Sequence, residues 1–237
     1  MKILALESSA HTASCAVCDE NAVICESSLT TGLTHSQTLM VMLCDMLKNA
    51  NVALNQIDAA AVSFGPGSFT GIRIGVSALK GIAHAMSLPC VGVSTLLGLA
   101  RNIEDMNVIA CAVMDARRDQ VYNAVFDMSR GECKRLSEDR AISIEQLTNE
   151  LKNSKYDLPI FLVGDGAKLC YDKMKSEMDI KIAPPQLRLQ RASSIGFCGI
   201  EQMKKGNALK ASDLMPKYLR LSQAERLREE KLRRELK

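Results

Sequence analysis

Apolar residues recur along this chain in two rhythms. Short apolar runs bounded by Gly, Asn, Asp and Ser read as strands, and longer stretches with apolar residues three and four apart read as helices. In the first half, strands are expected at Lys2–Glu7, Ala13–Cys18 and Ala22–Thr30, with Asp19-Glu20-Asn21 as a hairpin turn. A helix is expected over Thr34–Ala50, with Leu39, Leu43, Met46, Leu47 and Ala50 on one face. A strand Ala59–Phe64, a helix reaching Met86, a strand Cys90–Val93 and a short helix capped by Ser94 complete this half. The second half repeats the order. Strands are expected at Val108–Met114, Val121–Asp127 and Cys133–Ile142, then a helix Ile144–Leu151 capped by Ser143. The strand Ile160–Val163, a helix Ala167–Met178, a short strand Ile180–Ile182 and a helix Ala192–Lys205 follow. The same element order occurring twice predicts two similar α/β lobes, residues 1–104 and 105–205, facing each other across a cleft. Residues 206–237 form a separate C-terminal segment. Its last part is expected as a charged helix with Glu229–Arg233 and Glu230–Arg234 pairs and a thin stripe of Leu227, Leu232 and Leu236.

The segment from Ser63 to Gly75 stands out within this pattern. A buried-type strand enters it, Gly65-Pro66-Gly67 breaks the strand, and Ser68 or Thr70 can cap the helix that follows. Backbone N–H groups at such a helix start attract anions, phosphates above all. The alternative is a tight turn whose glycines only let two elements pack closely. A second glycine turn, Gly164-Asp165-Gly166, sits at the matching point of the second half.

Composition narrows the functional classes. Aromatic content of 4% with no Trp argues against a sugar site or a base-stacking platform. A net charge of +3 is too small for a general nucleic-acid binder. The nine Cys lack metal-ligand spacing, and Cys15 and Cys18, three apart in a strand, point to opposite faces. Reduced, buried thiols, no signal peptide and no bilayer-spanning apolar stretch fit a cytoplasmic protein. No G-x-S-x-G elbow supports Ser/His/Asp hydrolysis. The three histidines, His11, His35 and His84, have no regular spacing.

Four segments together resemble one family. Ile3-Leu4-Ala5-Leu6-Glu7-Ser8-Ser9, the run Gly65 to Gly75, Asp115-Ala116-Arg117-Arg118 and Pro216-Lys217-Tyr218-Leu219-Arg220 are similar, in this order, to bacterial TsaB proteins, also called YeaZ. The similarity runs from Met1 to about Glu225, and residues 226–237 carry no family motif. The resemblance implies an α/β actin-like, Hsp70-like ATPase superfold of two RNase H-like lobes. It also implies work in making threonylcarbamoyladenosine, the modified adenosine beside the anticodon in tRNAs reading codons that begin with A. The implied partners are a TsaD-type transferase subunit, a TsaE-type ATPase and, for the chain alone, a second copy. tRNA would be met only through the complex, and no membrane is involved.

Candidate chemistry follows from residues and resemblance together. Glu7 ends the first strand, where this superfold often places a metal-binding carboxylate, and Ser8, Ser9, Gly65 and Gly67 complete a candidate nucleotide site. The alternative is that the carboxylate and two hydroxyls only satisfy a strand end. In the second half Asp115, Asp119 and Asp165 are the nearest acidic residues, and no Lys follows a Walker-type loop. TsaD proteins carry a metal-binding His-x-x-x-His on the helix after the lobe's last strand. Thr95 and Leu99 stand there in this chain, and Leu99 has no donor atom. No metal, cofactor or catalytic residue is therefore expected here. Gly71, Gly75, Ala78, Ile82 and Ala85 line one face of the second helix, and Met40, Met42 and Met46 crowd the first. The resemblance makes these helices, with Met40, Leu43, Met46, Gly71, Gly75, Ala78 and Ile82, the contact with the transferase subunit; core burial is the other reading. An independent ATPase or metallopeptidase-like hydrolase and a stand-alone RNA-binding module are the alternative functions.

Overall fold

All seven residues of Thr12–Cys18 are buried, and a strand covered on both faces belongs inside a sheet that is itself sandwiched. The computed structural model, which describes residues 1–129 and 131–220, shows that sandwich. The first half contains β1 (Ile3–Glu7), β2 (Thr12–Cys18), β3 (Val23–Thr30), α1 (His35–Asn49), β4 (Ala59–Gly65), α2 (Phe69–Ala85), β5 (Cys90–Ser94) and α3 (Thr95–Arg101). The second contains β6 (Ile109–Asp115), β7 (Gln120–Asp127), β8 (Lys134–Arg135), β9 (Arg140–Ser143), α4 (Ile144–Asn153), β10 (Ile160–Val163), α5 (Ala167–Met174), β11 (Lys181–Ile182), α6 (Pro185–Arg188) and α7 (Ala192–Lys204). The expected tail helix lies outside the described residues. Among the described residues no helix is long and apolar enough to cross a membrane.

The two sheets share one topology. The first runs β3-β2-β1-β4-β5, and the second runs β11-β10-β6-β7-β8 with β9 also on β7. In each, a central strand pairs antiparallel with the strand that follows it: Ile3↔Cys18 through Glu7↔Ser14, and Ile109↔Asp127 through Asp115↔Val121. On its other side it pairs parallel with a later strand, β4 or β10. The serine caps read from sequence are in place. Ser68, Ser94 and Ser143 accept from the N–H of Gly71, Leu97 and Gln146 at 3.2, 3.2 and 3.1 Å.

Three readings of the sequence need correction. The strand expected over Cys133–Ile142 is two short strands. Between them Ser137 Oγ accepts from Val125 N–H at 2.9 Å, while the Leu136 and Ser137 amides both donate to Val125 O. A side chain thus replaces the ladder and breaks the strand. Helix α5 stops at Met174 in a turn, where Glu177 and Met178 N–H groups share the Met174 carbonyl. The short α6, opened by Pro185, is additional.

The ranges 1–104 and 105–205 also exchange helices. Outer helices α1 and α2 cover one face of the first sheet through Leu4, Leu6, Cys15, Leu39, Leu43, Ile72 and Leu79. Its other face is covered by α7, from the second half, through Ile195, Cys198 and Ile200 against Ile3, Ala5 and Val91. Helix α3, from the first half, packs Leu96 and Leu99 against Ala110, Ala112 and Phe126 of the second sheet. The outer face of that sheet is closed by α4 and α5. Burying each of these large side chains contributes about 1.5–3 kcal/mol. Glu26 of β3 anchors α7 by its start, accepting from Ser193 N–H at 3.0 Å and Oγ at 2.7 Å and pairing with Arg191 at 2.5 Å. A carboxylate there also complements the positive end of the helix dipole. Cys15 and Cys18 do face opposite sides: Cys15 reaches Met46 in the outer core, and Cys18 reaches Ser193 O at the inner one.

Candidate functional site

The β1–β2 turn, the start of α2 and the β6–β7 turn meet at the same end of the two sheets. Between them lies a cleft of about 500 Å³, lined by His11, Gly67, Ser68 and Thr70 on one side and by Asp115, Arg117, Tyr122 and Asp165 on the other. Lys217, Tyr218, Leu219 and Arg220 form a further wall.

Glu7, Ser8 and Ser9 do not reach this cleft. All three are buried, and their partners lie within the protein. Glu7 Oε1 accepts from the Ser9 N–H and from Ser9 Oγ, both at 2.6 Å. Ser8 Oγ donates to Gly71 O at 2.8 Å. Burial pushes the Glu7 carboxyl up to about 7 against the lowering effect of the Ser9 bonds. The Ser63 hydroxyl beside it, buried and without a partner of ordinary hydrogen-bond geometry, lowers it a little further. A carboxylate so enclosed, outside the cleft lining and with one oxygen taken by Ser9, does not present itself to a metal–nucleotide in the cleft, so these residues do not fit that group. Of the two sequence readings, the satisfied strand end describes them.

The glycine turn is likewise spent on packing. Gly65 has φ +128°, and a Cβ there would stand 2.2 Å from Lys217 O. Gly67 has φ +155°, and its Cβ would stand 2.3 Å from Ser9 O. The Ser68 N–H at the helix start donates to Ser9 O at 2.7 Å. Of the five candidate nucleotide residues, Gly67 alone lines the cleft.

Across the cleft, Asp165 accepts from Gln190 Nε2 at 2.9 Å. Desolvation raises its carboxyl above the ordinary aspartate range, opposed by the Gln190 bond, by backbone N–H groups and by the charge of His11. The fourth wall is a strap from Ser212 to Arg220 that runs along α2. Lys80 Nζ donates to Ser212 O and Leu214 O at 3.0 and 3.1 Å. The Tyr218 ring stacks on Phe69 at 4.4 Å, the Arg73 guanidinium lies 3.9 Å over Phe69, and Arg73 Nε donates to Tyr218 Oη at 2.8 Å. Arg220 then crosses to the second sheet's turn and donates to Ala116 O at 2.6 Å. Sequence reading marked these residues as motifs without placing them in a site. Nothing local joins residues 11, 117, 165 and 220.

The small face of α2 is turned inward. A Cβ on Gly71 would stand 2.1 Å from Ser8 O, and one on Gly75 2.3 Å from Ser8 Oγ, so the backbone that approaches so closely is the chain's own. Leu43 and Met46 are in the outer core at 2% and 7% exposure. For these four, core burial, the other reading of the pattern, describes their place in the chain. The exposed large apolar residues here are Met40 and Val41 of α1, at 42% and 60%, and Leu33 just before it, at 58%; on α2, Ile74, Ala78 and Ile82 are half-buried. Thr95 and Leu99 are fully buried, Leu99 in the core between α3 and the second sheet.

Known proteins fit this architecture. A family model described as "TsaD: tRNA N6-adenosine threonylcarbamoyltransferase" matches residues 30–227. The tRNA threonylcarbamoyladenosine biosynthesis protein TsaB of Bacillus subtilis is 30% identical over 227 residues, 95% of this chain and 96% of its own. Among solved structures, YeaZ from Pseudomonas aeruginosa superposes with a TM-score of 0.78 at 27% identity, over 92% of this chain and 99% of that one. EutJ from Carboxydothermus hydrogenoformans, with a TM-score of 0.51 at 11% identity over 84% and 90% of the two chains, shares the fold alone. A doubled α/β topology of the actin-like ATPase superfold, with relatives matching almost end to end, places this chain in the TsaB (YeaZ) family of tRNA threonylcarbamoyladenosine biosynthesis proteins.

Proposed function

We propose that this chain is a non-catalytic subunit of the complex that transfers a threonylcarbamoyl group to tRNA adenosine, and that it activates a TsaD-type transferase by docking to it. The observation that carries this is the set of exposed apolar side chains around the start of α1. Met40 and Val41 on the helix, and Leu33 in the loop just before it, are large and more than a third exposed. Such a patch is what a partner covers. A second copy would use the same face in a homodimer, and a TsaE-type ATPase would join the docked pair. The enclosed Glu7 and the donor-free Leu99 support a role without its own metal or nucleotide chemistry. Binding one conformation of the transferase better than another is sufficient to raise its activity.

The test is reconstitution from purified subunits with tRNA, ATP, threonine and bicarbonate, followed by mass spectrometry of the nuclease digest. Omitting this chain abolishes the modified nucleoside, and Glu7→Ala protein restores most of it. Formation of the nucleoside without the chain would refute the proposal. ATP turnover by the pure chain would favour the independent hydrolase instead.

A further inference from the structure

We propose that the mouth of the inter-lobe cleft is a contact for RNA backbone phosphates, formed by Arg117 of the β6–β7 turn and Lys217 of the strap. The inference rests on the proposed role in tRNA modification and adds to it a direct contact between this subunit and the nucleic acid.

Three observations converge on this point. The turn holds Arg117, Arg118 and Asp119 at φ +63°, +56° and +55°, a run of left-handed backbone uncommon outside glycine. It is closed by Ala116 N–H on Gln120 O at 3.0 Å and by Arg117 N–H on Asp115 Oδ1 at 2.7 Å. That geometry leaves the Arg117 and Arg118 side chains exposed, Arg117 at the cleft. The strap brings a second cation to the same place. Its backbone is fixed on one side of Lys217 by the Lys217 N–H bond to Phe64 O at 2.7 Å, and on the other by the Tyr218 stack and the Arg220 bond to Ala116. Lys217 is itself exposed and lines the cleft with Arg117.

The third observation is charge balance. Among the described residues, neither Arg117, Arg118, Lys217 nor Arg220 forms an ion pair, whereas Lys152, Lys168 and Lys173 on the outer helices of the second lobe do. Two carboxylates also line the cleft, each hydrogen-bonded within the protein, Asp115 to the Arg117 amide and Asp165 to Gln190. Unpaired cations presented to one cleft by two anchored backbone segments are suited to phosphates, which position a nucleic acid without reading its sequence. The net charge of +3 is too small to hold RNA alone, so the contact adds to those of the partner subunit.

The experiment uses the full-length chain assembled with its TsaD-type and TsaE-type subunits, and measures affinity for unmodified tRNA by anisotropy across about 50–200 mM salt. Arg117→Gln and Lys217→Gln should each lower affinity roughly five- to tenfold near 0.1 M salt. Each should also reduce the slope of log affinity against log salt by about 0.7–0.9. Arg117→Lys should restore the slope, and Lys134→Gln, on the far edge of the second sheet, should change nothing. Assembly and thermal melts should match the parent protein. If Lys217→Gln loosens the strap, Arg117→Gln, in an exposed turn, decides alone. Unchanged tRNA affinity and slope in an assembled Arg117→Gln complex would overturn the inference, as would a loss confined to ATP. Neither result touches the scaffold role, which falls only if omitting the chain leaves modification intact.

Discussion

Glu7→Gln should make this protein more stable at pH 8 and no more stable at pH 4.5. The wild-type carboxyl is fully enclosed, and burial moves it from 4.5 to about 7. Below pH 4.5 both folded and unfolded chains hold the proton. Between 4.5 and about 7 the folded chain keeps a proton that the unfolded chain has lost, so stability falls as pH rises. At about 1.4 kcal/mol per pH unit the loss amounts to about 3 kcal/mol once pH passes 7. Glutamine keeps an oxygen for the two Ser9 bonds of 2.6 Å. Its amide nitrogen can donate to the otherwise unpartnered Ser63 hydroxyl. Imperfect amide geometry costs on the order of 1 kcal/mol, leaving a net gain of about 2 kcal/mol at pH 8. Urea unfolding of both proteins from pH 4.5 to 8.5 tests this, because every other titrating group cancels in the difference. A difference that stays flat with pH would refute the reasoning, since it would mean that Glu7 is not protonated in the folded chain. The same variant should support nucleoside formation like the parent protein.

Four further outcomes follow from the contacts around α2. Gly71→Ala, which would meet the Ser8 carbonyl at 2.1 Å, should cost about 1–3 kcal/mol in urea unfolding. Gly75→Ala meets only the rotatable Ser8 hydroxyl, so the lost bond to Gly71 and the gain of about 1 kcal/mol in helix propensity nearly cancel. Ala78→Glu, on the half-buried outer side of α2, should leave the thermal melt within about 2 °C while weakening transferase binding at least tenfold by calorimetry. Tyr218→Ala removes the stack on Phe69 and the acceptor of Arg73, worth about 0.5–1.5 kcal/mol. Amide exchange over 212–220 should accelerate with the rest of the fold unchanged.

Periodicity alone located nearly every strand and helix, because local burial demands show in local spacing. The run Ala59–Phe64 and the alternation through Cys15 and Cys18 are set by which face each side chain must hide. The serine caps are equally local, since Ser68, Ser94 and Ser143 need reach only three residues ahead. The break at Ser137 was not legible, because the hydroxyl that replaces the ladder acts across strands on Val125.

Tertiary structure decided what the chemistry-bearing residues do. Glu7, Ser8 and Ser9 have the composition of a metal–nucleotide site. Glu7 and Ser9 meet within the turn, but only the packing of α2 over it gives Ser8 its partner in Gly71, and only the folded chain buries the carboxyl. Gly71 and Gly75 announce a close approach, yet the sequence cannot say whose backbone approaches; the folded chain brings its own Ser8. Helices α3 and α7 exchange sheets because each covers an inner face left open by the other half, a demand that arises only when the two sheets stack. The cleft joins positions 11, 117, 165 and 217 by the same long-range assembly. The order of elements was thus written in short-range pattern, and the site was made by contacts between residues a hundred or more positions apart.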